Sequence, residues 1–174
     1  MSDRTSPLSP RNLSRGTLAA LVLTLVVGSP ALAAGPAKVV DNFLAAYNAG
    51  DVEKMTAIYA DDVRFTDVSQ RHEVTGRDGM RENLRNLTAI HKQMDVDVKR
   101  RAVSGDLVTV EVVYSGTLDC AALGRPDKED LTYSLPAVLL FEVDKDHIRS
   151  QTDYLDFRTF SETFGALQAP APSH

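Results

Sequence analysis

The chain has 174 residues, a net charge of −5 and 43% hydrophobic residues, which suffices for one globular domain with its own core. The acidic balance argues against a nucleic-acid partner, because phosphate binding requires clustered Lys and Arg. Cys120 is the only cysteine, so the chain forms no intrachain disulfide. It is either a small loop residue or a reactive or interchain thiol. The sequence contains no dense cluster of His and acidic residues that would indicate a zinc site.

Residues 1–33 have the three parts of a secretory signal peptide. Three arginines precede the apolar run Leu18–Val27, which is too short to span a bilayer comfortably. Ala31-Leu32-Ala33 supplies the small-x-small cleavage pattern. We expect cleavage after Ala33, a periplasmic or secreted product and no membrane contact afterwards; an uncleaved anchor is the alternative. Loss of this segment, with three Arg and one Asp, changes the net charge from −5 to −7.

Three helices are predicted next. Apolar residues recur at helical spacing from Val39 to Tyr47, and Gly50 is a natural helix stop. Asp51 is predicted to cap a second, short helix. The third helix is predicted at Asp78–His91, after a polar loop.

The segment between the second and third helices changes to a period of two. Val63, Phe65 and Asp67 therefore share one face of a strand, and Arg64 and Thr66 share the other. If the two apolar residues face the interior, Asp67 does too. A buried carboxylate is costly unless it is paired, hydrated or protonated. Asp67 is therefore a candidate functional residue.

The remainder of the chain alternates as strands do. A closing helix is predicted after Asp156, which would cap it, and it is predicted to stop near Gly165. We expect residues 34–165 to form one domain and residues 166–174 to be a disordered tail. The strands are predicted near residues 94–99, 108–115, 132–143 and 147–155, with a loop at Asp119–Asp130.

This order predicts an α+β fold, in which three N-terminal helices precede four or five mostly antiparallel strands, including the early one. A strongly curved sheet wrapped around the helices would be a cone-shaped roll. Such a roll encloses a conical cavity between the sheet and the helices.

Four segments resemble the nuclear transport factor 2-like superfamily, which includes ketosteroid isomerases, SnoaL-like polyketide cyclases and limonene-epoxide hydrolases. They are AAYNAGD at 45–51, YADDV at 59–63, GRDG at 76–79 and IRSQTDYLDFRTF at 148–160. The resemblance covers about residues 37–165. It implies the cone-shaped roll and a homodimer, and it is specific for fold rather than for chemistry.

The resemblance to ketosteroid isomerases implies that Asp67 is a general base. In those enzymes, the surroundings of the carboxyl groups tune their pKa values. The two positions that form the oxyanion hole in those enzymes are occupied here by Phe43 and Leu139, whose side chains have no hydrogen-bond donor. Loss of both donors removes most enolate stabilisation. Steroid isomerisation by that route is therefore not expected.

In limonene-epoxide hydrolases, an acid that activates water matches Asp153. Those enzymes have an Arg-x-Asp motif where this chain has Val112-Val113-Tyr114. The arginine that bridges their acidic residues is therefore absent here. SnoaL-like cyclases likewise use an acid from the last-strand region. Asp153 is the choice for that role, and Asp156 is the alternative.

The expected site thus contains Asp67 and Asp153 as catalytic carboxyl groups in an apolar cavity. Two carboxylates near one cavity push their pKa values apart, and apolar walls raise both, which suits acid–base chemistry near neutral pH. No metal or organic cofactor is implied, and the expected partner is an apolar small molecule. The expected substrate-contacting residues are Tyr114, Phe43, Phe65, Val112 and Leu139.

Structural roles compete with these functional ones. Asp67 could pair with an arginine or cap a turn, Asp153 could hydrogen-bond the sheet, and Tyr114 could be core. His72 is a candidate proton shuttle at the cavity mouth. Three functions remain open: an enzyme for isomerisation, cyclisation or hydration of a carbonyl or epoxide compound, a non-catalytic binding protein, and a dimerisation module.

Overall fold

The computed structural model describes residues 35–168, and side chains as far as residue 165. The predicted signal peptide at residues 1–33 lies outside the described residues, as does most of the predicted tail. None of the described helices combines the length and the apolar character needed to cross a bilayer.

The described residues form four helices and six strands that position the site. The helices are α1 (Pro36–Asn48), α2 (Val52–Ile58), α3 (Arg77–Ala89) and α4 (Phe157–Gln168). The strands are β1 (Tyr59–Asp67), β2 (His72–Thr75), β3 (His91–Ser104), β4 (Leu107–Leu118), β5 (Leu131–Asp144) and β6 (His147–Leu155).

The helix boundaries follow from local capping, largely as predicted. Gly50 follows α1 with a φ of +62°, a conformation that side chains with a Cβ rarely adopt. The Asp51 carboxylate accepts a hydrogen bond from Lys54 N at 3.0 Å and caps α2. Asp156 caps α4, since its carboxylate accepts from the backbone N–H groups of Arg158 and Thr159.

The six strands form one curved, open sheet in the order β2-β1-β6-β5-β4-β3. Neighbours are antiparallel except β1 and β6, which run parallel. The predicted α+β fold with a curved, mostly antiparallel sheet is therefore confirmed. The last strand lies in the interior of the sheet, between the first and the fifth.

Two element predictions were wrong in detail. We expected a loop from the end of β1 to Gly76, but His72–Thr75 pairs with β1 as an edge strand after a turn at Arg71, whose φ is +53°. An exposed edge strand of four residues has no apolar alternation for a sequence pattern to detect. Helix α4 continues to Gln168, three residues past the predicted stop at Gly165.

The core lies between α1 and the concave face of the sheet. Phe43 on α1 packs edge-on against Tyr59 and Phe141, with ring centroids 5.3 and 5.7 Å apart. Val108, Val110 and Val112 on β4 are completely buried beside them. Cys120, in the loop after β4, is also completely buried. Beyond this packed part, the helices and the sheet separate and leave a cavity.

Candidate active site

The cavity has a volume of about 760 Å³ and a mainly apolar wall. Its wall is formed by α1, α3 and α4 on one side and by the concave face of the sheet on the other. This volume lies within the range of small-molecule sites, which are typically about 300–1,000 Å³. The fold thus supplies an apolar pocket large enough for a compound of several rings.

Asp67 and Asp153 lie side by side in this pocket. They are direct partners in the parallel β1–β6 register, so their side chains leave the same face of the sheet from adjacent strands. Both line the cavity, and they are only 5% and 7% exposed. The burial of Asp67 on the face of Val63 and Phe65 agrees with the alternation in the sequence.

The Asp67 carboxylate is held by the turn that follows β1. Gln70 donates to it twice, from its backbone N–H at 3.0 Å and from its side-chain amide at 2.7 Å. Each donor contacts a different carboxylate oxygen. The turn thus fixes the orientation of the carboxyl group in the cavity wall.

Asp153 is held by a hydrogen-bond chain of fixed direction. The Tyr59 hydroxyl donates to Gln151 Oε1 at 2.5 Å, which orients the Gln151 amide so that its Nε2 donates to Asp153 Oδ1 at 2.9 Å. Burial raises the pKa of Asp153 to about 7; the Gln151 hydrogen bond lowers it and the Asp67 charge raises it. Asp153 can therefore give up or take a proton near neutral pH.

Tyr114 contributes a hydroxyl group to the same wall. Its ring is buried against Tyr47, with centroids 5.3 Å apart, and its hydroxyl makes no hydrogen bond to another residue of the described range. Burial raises the pKa of Tyr114 well above its usual value, and the Asp153 charge raises it further. The hydroxyl stays protonated and is a donor for a ligand oxygen.

The seven residues expected to form the site divide into two groups. Five line the cavity: Asp67, Asp153, Tyr114, Phe43 and Phe65. The other two, Val112 and Leu139, are completely buried and lie in the packed core rather than on the cavity wall. They share the concave face with Tyr114 and Asp153, but α1 covers that part of the face.

The competing structural roles can be compared with the contacts. Within residues 35–168, no ion pair joins Asp67 or Asp153 to a basic side chain, and Arg64 and Arg149 are exposed. Neither carboxyl group is neutralised by a closed salt bridge there. Asp156 is bound to the α4 N-terminus and is absent from the cavity wall, which fits its structural role.

The sequence reading missed several polar residues of the wall. Gln151 was detectable, since it lies two residues before Asp153 and so faces the same side of β6. Gln70 follows β1 in a turn and gave no such signal. His72 does line the cavity, with its Nε2 3.0 Å from Asn83 Oδ1. His91 and Tyr133 also line the cavity, and a hydrogen bond joins them.

The described residues contain no group of three or more His, Cys, Asp or Glu side chains arranged to hold a metal ion.

Comparison with known proteins identifies the family. The family model of the SnoaL-like domain matches residues 40–151. Among solved structures, a proposed SnoaL-like polyketide cyclase from Shewanella denitrificans shares 18% identity with a TM-score of 0.68, over 75% of this chain and 97% of that one. A search of curated protein sequences found no match.

Two further structures are similar. A protein with a ketosteroid isomerase-like fold from Catenulispora acidiphila, in complex with trimethylamine, shares 22% identity and a TM-score of 0.63, over 81% of this chain and 99% of that one. A proposed polyketide cyclase from Xanthomonas campestris shares 27% identity and a TM-score of 0.62, over 74% and 95%. The family match spans more than half of the sequence, and the fold agrees with it: the chain belongs to the SnoaL-like domain family.

Proposed function

We propose that this protein binds an apolar carbonyl or epoxide compound and catalyses its isomerisation, cyclisation or hydration by acid–base chemistry. Asp67 is the base, Asp153 is the acid, and the Tyr114 hydroxyl orients the substrate oxygen. The observation that carries the proposal is the pairing of Asp67 with Asp153 in the β1–β6 register, on the wall of one apolar cavity. Pairs of titratable groups in contrasting environments are typical of acid–base sites.

For a ketone, the proton transfers balance as follows. Asp67 takes a proton from the carbon next to the carbonyl group, and Asp153 gives its proton to the carbonyl oxygen, which produces an enol. Tyr114 donates a hydrogen bond to that oxygen while charge develops on it. In a β,γ-unsaturated ketone, Asp67 then gives its proton to the γ-carbon while the enol O–H returns its proton to Asp153, which completes an isomerisation and restores both groups. In ring closure, the enol carbon attacks a second carbonyl group of the same molecule, the enol O–H returns its proton to Asp153, and Asp67 protonates the new alkoxide.

The test does not require the natural substrate to be known, because it uses the simple ketone 2-tetralone. Proton NMR measures the rate at which its α-protons exchange in D2O. We expect the wild-type protein to accelerate exchange above buffer, and Asp67→Asn to reduce the acceleration by about 10²–10⁴-fold, the usual contribution of a general base. Asp62→Asn is the matched control, because Asp62 is an exposed carboxylate of the same strand. Full exchange activity in Asp67→Asn would contradict the assignment of the base.

A carrier without turnover is the second candidate, and the mainly apolar wall of the cavity favours it. A carrier would bind 2-tetralone with equal affinity in the wild type and in Asp153→Asn, and would exchange its α-protons no faster than buffer. Calorimetry combined with the exchange assay separates the two functions, because it measures affinity without requiring a reaction.

Two proposals concern the setting of this activity. Export is supported by the signal-like sequence of residues 1–33, and cell fractionation of the full chain tests it.

A homodimer is supported by the family fold and by two apolar register neighbours, Val138 and Tyr154, which are 38% and 47% exposed. Light scattering would give the mass of one chain instead if the dimer does not form.

A further inference from the structure

A second polar region of the cavity has no role in the proton transfers proposed above. It consists of Tyr47 on α1, His91 at the start of β3 and Tyr133 on β5, and all three line the cavity. Tyr133 is six residues along β5 from Leu139, which faces Asp153 across the β5–β6 pair. The Tyr47 ring packs against the Tyr114 ring with centroids 5.3 Å apart, so this region adjoins the part of the wall that carries Tyr114 and Asp153. We call these three residues the hydroxyl end and Asp67 with Asp153 the acidic end.

The contacts of His91 fix its tautomer. Nδ1 lies 2.6 Å from the Leu87 carbonyl oxygen, which can only accept, so Nδ1 carries the proton and donates. Burial lowers the pKa of His91, while the Leu87 contact raises it. The ring is therefore neutral at pH 7, and its Nε2 carries a lone pair. That atom lies 2.9 Å from the Tyr133 hydroxyl and must accept its proton.

The Tyr133 hydroxyl proton is consequently already engaged in a hydrogen bond. Burial raises the pKa of Tyr133 to about 12, so its hydroxyl is protonated, and its proton points to His91. Burial also raises the pKa of Tyr47, so its hydroxyl is protonated as well. Because the Tyr133 proton is directed to His91, the Tyr133 oxygen presents lone pairs, and no proton, to a ligand.

Apolar rings enclose this end of the cavity. Phe164 of α4 packs against Tyr133 with centroids 5.6 Å apart, and Phe160 packs against Phe164 at 4.6 Å. Both phenylalanines line the cavity. A hydrogen bond made among apolar groups is stronger than one made in water, and an unmatched polar group there is more costly. The polarity of a ligand group at this position therefore affects affinity.

We propose that the phenolic oxygen of Tyr133, oriented by its hydrogen bond to His91, is a second binding point that accepts a hydrogen bond from the ligand. The ligand class is then an apolar carbonyl compound that also bears an O–H group, with its carbonyl at the acidic end and its hydroxyl at the hydroxyl end. This inference rests on the proposed function, because it places the carbonyl group beside Asp153 and Tyr114.

Three matched ketones test it by calorimetry: 2-acetylnaphthalene, its 6-hydroxy derivative and its 6-methoxy derivative. The corresponding 4-acetylbiphenyl series, substituted at the 4′ position, tests a longer separation. For at least one length, we expect the wild type to bind the hydroxy ketone about fivefold more tightly than the unsubstituted one, the effect of one net hydrogen bond. Tyr133→Phe should reduce this ratio to about one.

Two variants make the test specific. Tyr154→Phe removes a hydroxyl from the exposed outer face of β6 and should leave the ratio unchanged. His91→Phe keeps a ring but removes the acceptor for the Tyr133 proton. That proton is then free to donate, so the methoxy ketone, which only accepts, should gain affinity relative to the hydroxy ketone.

The outcomes separate this inference from the proposed function. Equal binding of substituted and unsubstituted ketones at both lengths, or a preference that persists in Tyr133→Phe, would overturn the hydroxyl binding point alone. Absence of binding by every ketone would overturn both. Loss of preference in Tyr133→Phe, with a cooperative urea unfolding transition that shows the variant to be folded, supports the inference.

Discussion

The two ends of the cavity handle protons in different ways. At the acidic end, burial and a neighbouring carboxylate give Asp153 a pKa of about 7, so a proton there is easily exchanged. At the hydroxyl end, His91 and Tyr133 form a neutral, directed hydrogen-bond chain with no proton to spare. In the function proposed here, this difference assigns proton transfer to the acidic end and selection of a ligand hydroxyl group to the hydroxyl end.

The largest effect expected on stability concerns the acidic end. The folded-state pKa of Asp153 is raised above its ordinary value of 3.8 to about 7, so the folded state binds the proton more tightly than the unfolded state. Stability therefore falls as pH rises from about 4 to about 7, by at most roughly 4 kcal/mol. Asp153→Asn should lack this slope and be the more stable protein at pH 8.

Urea unfolding of both proteins at pH 4.5 and pH 8 measures that difference. The Asn side chain can still accept the Gln151 hydrogen bond, so the comparison isolates the charge. Identical pH dependence of the two proteins would mean that Asp153 is not desolvated, and the contrast between the two ends would fail.

The next effect concerns the hydroxyl end. A Cβ on Gly116 would lie 2.3 Å from the Gln93 carbonyl oxygen and 3.0 Å from the Tyr133 hydroxyl oxygen. Gly116→Ala should therefore cost about 2–3 kcal/mol in the free energy of unfolding and weaken the hydroxyl preference, because the backbone and Tyr133 must shift. Gly165→Ala, whose Cβ would meet nothing within 4 Å, is the control. Equal stability of the two variants would contradict this.

The smallest effect sharpens the comparison within the acidic end. Gln151→Leu removes the donor to Asp153 and leaves the buried Tyr59 hydroxyl without its acceptor, at a cost of about 1–3 kcal/mol. It should also raise the pKa of Asp153, because the lost hydrogen bond lowers that pKa. Carboxyl-carbon NMR titration measures the shift. Adding Tyr59→Phe should restore most of the stability without reversing the pKa change.

Much of the fold was predictable from local patterns. The alternation through Phe65 identified the buried face of β1, and the caps at Gly50 and Asp51 were read correctly. Asp67 was recognisable because it is a charged residue in an apolar series. The edge strand β2 was not, since it is short and exposed on all but one residue.

Positions within the site were harder to predict, for two physical reasons. Alternation assigns a residue to a face of the sheet but not to a depth along it, which is why Val112 and Leu139 lie in the packed core while Tyr114 reaches the cavity. The His91–Tyr133 bond joins residues 42 apart in sequence and depends on how α3, β3 and β5 meet. A local sequence pattern cannot predict such a contact, because it depends on the tertiary packing of these elements.

The central place of β6 has a consequence for how the protein matures. The strand that carries Asp153 is the last of the six described strands along the chain, yet it fills the gap between β1 and β5. Until β6 is inserted, each of those two strands has an unpaired edge, and the Tyr59–Gln151 contact spans 92 positions of the chain. Such long-range pairing folds slowly. Asp67 and Asp153 are therefore brought together only after β6 has been synthesised and inserted, and a chain that stops before β6 lacks the β1–β6 pairing that aligns them.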